Sequence, residues 1–286
     1  MKIFYIADII GKAGIWAVKK NIGFIKTAYN PDFIIAHADG ATGAGGLGKQ
    51  HAGYLKKMGI DCITGGDLIF QKKDLVDALP QFPFVLRPLN MPAVSPGIGC
   101  RCFLTRKKEK IAVISLLGRV GYHRLLADNP FTAAEAIIPV LKKETDCIIA
   151  DFASFATAEK QSMGFLLVGK ISALIGSGTK AATADCRLMR AGGVTAQRNA
   201  AGDFAGVRQA KQTAFITDSG RTGSFDSVGG YAPETKIREY RSGLFEYPQE
   251  AWQRVGVQGL TIELDGLGSA LSVEHVRIEN TAVSAE

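Results

Sequence analysis

The chain has 286 residues, 47% of them hydrophobic and 21% charged, with a mean hydropathy of +0.09. That length buries a substantial core in one large α/β domain or two small ones. The apolar content excludes a mainly disordered state, and the absence of a short repeat excludes coiled-coil and collagen-like forms. No uncharged apolar run reaches the roughly 18 residues that cross a bilayer. The opening MKIFYIADIIG lacks the apolar length and small-residue cleavage site of a secretory signal, so a cytoplasmic location with no membrane partner is expected.

In chain order, KIFYIAD (2–8) reads as a buried strand, followed by a glycine-bearing loop and a helix to about residue 28. FIIAH (33–37) is the next strand and runs into a polar glycine-rich loop at 39–43. HAGYLKKMG (51–59) reads as a helix closed by Gly59, DCITGGD (61–67) as strand then loop, and QKKDLVDAL as a helix stopped before Pro80. Near-continuous apolar strands alternating with helices predict a parallel sheet covered by helices.

CRCFLT and IAVISLL (111–117) read as a hairpin around the basic tip Arg106, Lys107, Lys108 and Lys110. DCIIADF (146–152), ISALIGSG (171–178) and TAFITDSG (213–220) are further strands, with a helix over about 132–143. Leu188 to Gln212 reads as a protruding hairpin or loop. After Trp252, QRVGVQGLTIELD and ALSVEHVRIEN alternate with the period of an antiparallel pair. No linker or internal repeat divides the chain, so one layered α/β domain over 1–286 is expected.

Lys and Arg outnumber Asp and Glu by 34 to 27, a formal +7. The basic residues are scattered, and a charged hairpin tip is ordinarily solvated, so nucleic acid is weakly supported as a partner. The five cysteines are dispersed, and Cys100 and Cys102 lack zinc-ribbon spacing. They read as reduced thiols packed as small apolar groups.

Ligands of open α/β sheets sit beyond the carboxyl ends of the strands. Asp8, Asp39, Asp67, Asp151, the 177–180 turn and Asp218 lie at or just past strand ends here. Carboxylates meeting at one edge prepare a site for a hard cation, although an Asp in such a place also caps helices and makes turns. Of the four histidines, His37 alone lies near this edge, where a structural role is the simpler reading. The stretch from Gly40 to Gly48 lacks the Lys-Ser/Thr of a phosphate loop.

The blocks IADIIGKAG (6–14), HADGATGAGGLG (37–48), ITGGDLIFQKKD (63–74), RPLNMP (87–92), Gly118-Arg119, DNPF (128–131), IADFASFATAEK (149–160) and TDSGRTGSFDSVGG (217–230) occur in an order that resembles the YmdB-like family of bacterial metallophosphoesterases. The resemblance covers most of the chain and departs at an insertion around 190–208. It implies a four-layer α/β/β/α sandwich of the calcineurin-like type. It also implies a two-metal centre of iron or manganese that activates hydroxide against phosphodiesters such as cyclic nucleotides.

Residue by residue, the family's first Asp ligand matches Asp8. Its bridging Glu and following Asn correspond to Asp39 and Gly40, and its Asn ligand and proton-donating His to Asp67 and Leu68. Its late histidine ligands correspond to Ala153, Gly178 and Lys180, and an arginine to Ile15. Losing imidazoles removes nitrogen donors that suit iron, manganese or zinc. Leu68 cannot give a proton, a loss worth about 10²–10⁴-fold in rate.

With no metal, Asp8, Asp39 and Asp67 repel one another, and Lys180 is expected to sit among them as a substitute charge. These replacements favour a catalytically inactive scaffold protein that holds no tight metal and works through a protein partner or a homo-oligomer. The 190–208 insertion, with Arg190, Arg198 and Arg208, is the candidate contact. The alternative is a phosphodiesterase with one Mg²⁺ or Mn²⁺ held by Asp8, Asp39 and Asp67.

Overall fold

The computed structural model describes residues 1–280 other than 44, 123–125, 193–194, 199–203 and 209–210, and of 195–198 and 204–208 the backbone alone. His123, the 281–286 end and the side chains of Arg198 and Arg208 thus lie outside the described residues.

The first half lays down β1 (Lys2–Ile6), β2 (Asp8–Ile9), α1 (Gly11–Ala28), β3 (Phe33–His37), α2 (Lys49–Lys57), β4 (Cys62–Thr64), α3 (Lys73–Ala78) and β5 (Val85–Leu86). Next come β6 (Cys100–Leu104), β7 (Lys110–Leu117), α4 (Pro130–Leu141), β8 (Ile148–Ala153), α5 (Thr157–Leu167) and β9 (Ala173–Ser177). The rest is β10 (Arg187–Arg190), β11 (Thr195–Arg198), β12 (Phe204–Arg208), β13 (Gln212–Ile216), β14 (Arg221–Ser224), α6 (Pro233–Ser242), β15 (Val255–Leu264) and β16 (Ala270–Glu279).

The strands form two main sheets, not the single parallel sheet that strand–helix alternation suggests. One runs β2-β14-β15-β1-β3-β4-β5, with β16 also on β15. The other runs β10-β13-β9-β8-β7-β6, and β11 and β12 pair as a separate two-stranded sheet. Both sheets have a parallel centre, β1-β3-β4-β5 and β7-β8-β9-β13, flanked by antiparallel strands.

Side-chain alternation along each strand explains the layers. In β1, Ile3 and Tyr5 belong to the cluster between the sheets, to which the facing sheet contributes Ile111, Val113, Ile149 and Ile175. Phe4 and Ile6 point the other way, into a cluster with Val18 and Ile25 of α1 and Leu55 of α2. β7 does the same in the second sheet, where Ala112, Ile114 and Leu116 meet Ile138 of α4 and Met163 and Leu167 of α5. Three apolar layers between four layers of structure give the α/β/β/α sandwich, with both sets of parallel strands ending on the same edge.

The basic hairpin tip is a solvated surface feature. Lys107 pairs with Asp32 at 3.1 Å and Lys110 with Glu144 at 2.6 Å. All five cysteines are free thiols. Among the described residues no helix is long and apolar enough to cross a membrane.

Candidate functional site

Asp8 follows β1, His37 ends β3 with Asp39 just beyond it, and Thr64 ends β4 ahead of Asp67. From the facing sheet come Asp151 and Ala153 on β8, Ser177 at the end of β9, and then Gly178 and Lys180. Asp8, Asp39, Gly40, Asp67, Leu68, Ala153, Gly178 and Lys180 all line one cavity of about 60 Å³, together with His37 and Phe155. That is room for a few waters, far below the ~300 Å³ or more of pockets that enclose small-molecule ligands.

The centre of the site is His37, which is 1% exposed. Its Nε2 lies 3.1 Å from Oδ1 of Asp8 and its Nδ1 3.0 Å from Oδ2 of Asp151. Burial alone would deprotonate the ring, but Asp151 and Asp8 outweigh it and hold its pKa up at about 10. An imidazolium therefore bridges the carboxylates of the two sheets at neutral pH. Asp151 is saturated as well: Tyr5 Oη donates to Oδ2 at 2.9 Å, Thr64 Oγ1 donates to the same oxygen, and Ser177 Oγ donates to Oδ1 at 2.7 Å. Despite burial, His37 and the Ser177 and Thr64 hydroxyls keep the Asp151 pKa below its ordinary value.

Asp8 has both oxygens engaged, because the backbone N–H of Gly178 donates to Oδ2 at 3.0 Å. Burial still pushes its pKa up. Asp39 is less well served. Its Oδ2 accepts the N–H of Leu68 at 2.9 Å, while Oδ1 is buried with no partner among the described residues. Burial raises its pKa to about 6, and burial likewise raises Asp67.

A second buried ion pair lies behind the cavity. Lys160 of α5 and Asp218, both fully buried, meet at 2.6 Å. Thr179 donates to the same Asp218 oxygen through its N–H at 3.0 Å and its hydroxyl at 2.6 Å, and Gly220 N–H donates to the other at 2.9 Å.

Lys180 lies at the same cavity as the carboxylates but does not touch them. It lines the cavity and lowers the pKa of Asp8 and Asp67 from a distance, but it forms no ion pair among the described residues. Its backbone is left-handed, at φ +61°, and Nζ lies 5.9 Å from the ring centroid of Tyr231. His37 is thus the cation in contact with the carboxylates, and Lys180 acts on them through space. Sequence reading misses Tyr5, Thr64, Lys160 and the bridging role of His37. A signal exists only for Lys160, which shares the buried stripe of α5 with Met163, Gly164 and Leu167.

The donor set does not fit a two-metal centre. Ala153 and Gly178 offer no side-chain donor, Lys180 offers an ammonium, and the imidazole lining the cavity has both nitrogens taken up by Asp8 and Asp151. Among the described residues no three His, Cys, Asp or Glu side chains are grouped as ligands.

Two sheets packed face to face, helices outside, and carboxylates gathered where the parallel strands end define the calcineurin-like sandwich fold of the phosphoesterases. The profile of the YmdB-like protein family matches residues 4–276, and the chain belongs to that family. It is 32% identical to a Bacillus subtilis (strain 168) protein named 2',3'-cyclic-nucleotide 2'-phosphodiesterase, over 98% of each chain. A solved Mycoplasma pneumoniae structure described as a novel phosphatase superposes with a TM-score of 0.82 at 29% identity, covering 98% of this chain and 93% of that one. A hypothetical protein from Thermus thermophilus shares the fold, with a TM-score of 0.81 at 24% identity over 98% of this chain and 100% of its own.

Proposed function

We propose that this chain keeps the phosphoesterase scaffold without two-metal hydrolysis and serves as a binding, structural or regulatory protein, through a protein partner or a second copy of itself. The observation that carries this reading is the state of Asp8. It corresponds to the family's first metal ligand, yet the His37 imidazolium holds one oxygen and the Gly178 N–H the other. A metal there must displace two charge-assisted hydrogen bonds and then sit beside a buried cation. A leaving group also finds Leu68 where the family has its proton donor.

The test pairs turnover with metal content. The untagged protein is dialysed against Mn²⁺, Fe²⁺ or Mg²⁺ and its metal is counted by elemental mass spectrometry. It is then assayed with 2',3'-cyclic AMP, the substrate class in the Bacillus subtilis relative's name. No retained metal and no turnover above the protein-free control is the expected result. Turnover abolished by Asp8→Asn overturns the reading.

A second reading rests on Asp39. Its buried, unpartnered Oδ1 beside Asp67 suits one hard cation completed by water. About one Mg²⁺ or Mn²⁺ per chain, lost in Asp39→Asn, is the result that selects a one-metal phosphodiesterase using Asp8, Asp39 and Asp67.

A further inference from the structure

Helix α6 exposes two large apolar side chains to solvent among its charged ones. Ile237 is 51% exposed and Tyr240 79%, and directly after the helix Leu244, Phe245 and Tyr247 are 70%, 77% and 72% exposed. The chain leaves α6 through Gly243 in the left-handed conformation, and a two-pronged Arg238–Glu246 ion pair at 2.8–3.0 Å ties it back to the helix. That ion pair holds the segment around Glu246 near the middle of α6. Isolated exposed apolar residues are ordinary, but five of them within positions 237–247, three aromatic, are the composition of an interaction site.

The charges around this surface indicate what covers it. Glu234 lies in the first turn of α6 and Arg241 in the last. Positions 234, 237 and 241 fall at i, i+3 and i+7, so both charges flank Ile237 on one face, about 10 Å apart. Arg238 is committed to Glu246, and Lys236 pairs with Glu239 at 2.8 Å. Glu234 and Arg241 form no ion pair among the described residues. An acid and a base placed symmetrically about Ile237 are self-complementary when the helix meets a reversed copy of itself, which is the geometry of a two-fold interface.

We propose that α6 and the segment to Tyr247 form a two-fold interface with a second copy of this chain. The two α6 helices run antiparallel across Ile237, with Glu234 of each copy against Arg241 of the other. Tyr240, Leu244, Phe245 and Tyr247 extend the apolar seam on either side. Large apolar side chains bury on the order of 150–250 Å² each when aromatic, so both copies together remove on the order of 1,000 Å² from water, the threshold for a specific interface. The inference stands apart from whether the carboxylate cavity turns over substrate.

Sedimentation equilibrium on the full chain across micromolar concentrations tests it. The wild type is expected to sediment as a two-chain species. Tyr240→Asp raises the dissociation constant by about tenfold or more, as do Glu234→Arg and Arg241→Glu singly. Glu234→Arg combined with Arg241→Glu rebuilds the pairing with reversed signs and brings the constant back to within a few-fold of wild type. All these side chains are exposed, so the thermal unfolding curve is expected to show each variant folded. If Tyr240→Asp alone misfolds, the charge series decides. A monomer throughout the range overturns the proposal. So does a dimer unmoved by the single reversals, or a double reversal no better than either single change.

Discussion

The backbone N–H of Gly178 donates to Oδ2 of Asp8 across 3.0 Å, joining the end of a strand in one sheet to the first carboxylate of the other. Gly178 holds φ +100°, and a Cβ there meets the Ser154 backbone at 3.3 Å. Gly178→Ala is therefore expected to lower stability by about 1–3 kcal/mol, since a side chain rarely adopts that conformation. A urea melt of the variant, with an unchanged midpoint as the contrary result, checks it.

His37 gives the fold a dependence on alkaline pH. Its folded pKa of about 10 lies above the ordinary 6.5, so the protonated ring stabilises the native state. That contribution is complete below about pH 6.5 and is lost as pH rises through about 10. His37→Gln is expected to cost about 3–5 kcal/mol near pH 6, because two buried carboxylates lose their cation. The gap between variant and wild type should narrow toward pH 10, and a gap constant with pH contradicts the assignment.

Lys160 and Asp218 support the site from behind. Lys160→Met leaves a fully buried carboxylate with hydrogen bonds but no counter-charge, at an expected cost of about 3–5 kcal/mol. Adding Asp218→Asn removes the stranded charge and should recover part of that loss. Chemical denaturation of the wild type, both single variants and the double variant measures the coupling. Additive effects count against a direct pair.

Asp39 shifts stability in the same direction as His37, over a more acidic range. Its folded pKa of about 6 exceeds the ordinary 3.8, so the native state favours its protonated form. The associated stability is present below about pH 3.8 and disappears as pH rises through about 6. Asp39→Asn keeps an acceptor for the Leu68 N–H and removes the buried charge. It is expected to raise stability at pH 8 by up to about 3 kcal/mol. A loss of stability at that pH instead points to a cation on Asp39.

The layout of strands and helices is legible from apolar runs and their stops, because FIIAH, IAVISLL and the two alternating C-terminal strands each carry a local signal. Local periodicity cannot distinguish one sheet from two, since β3 and β8 look alike as buried parallel strands. The sandwich is readable only through the motif resemblance. The edge that gathers the carboxylates is readable from the polar residues placed at or just past the strand ends. The charge balance there is not, because His37 and Asp151 are 114 positions apart and meet only when the sheets stack. Motif alignment puts Lys180 among the carboxylates, but nothing local in the chain signals the left-handed backbone at that residue or the Tyr231 ring beside it.

The pairing of β1 with β15 has a bearing on how the chain comes off the ribosome. Lys2 aligns with Glu263 and Ile6 with Gly259, so one neighbour of β1 is synthesised more than two hundred residues after it. Contacts of such long range slow folding, and an open strand edge recruits other strands. Through most of translation β1 has β3 on one side and an unfilled hydrogen-bonding edge on the other. The apolar KIFYI strand is then the stretch that chaperones, or a neighbouring nascent chain, compete to cover.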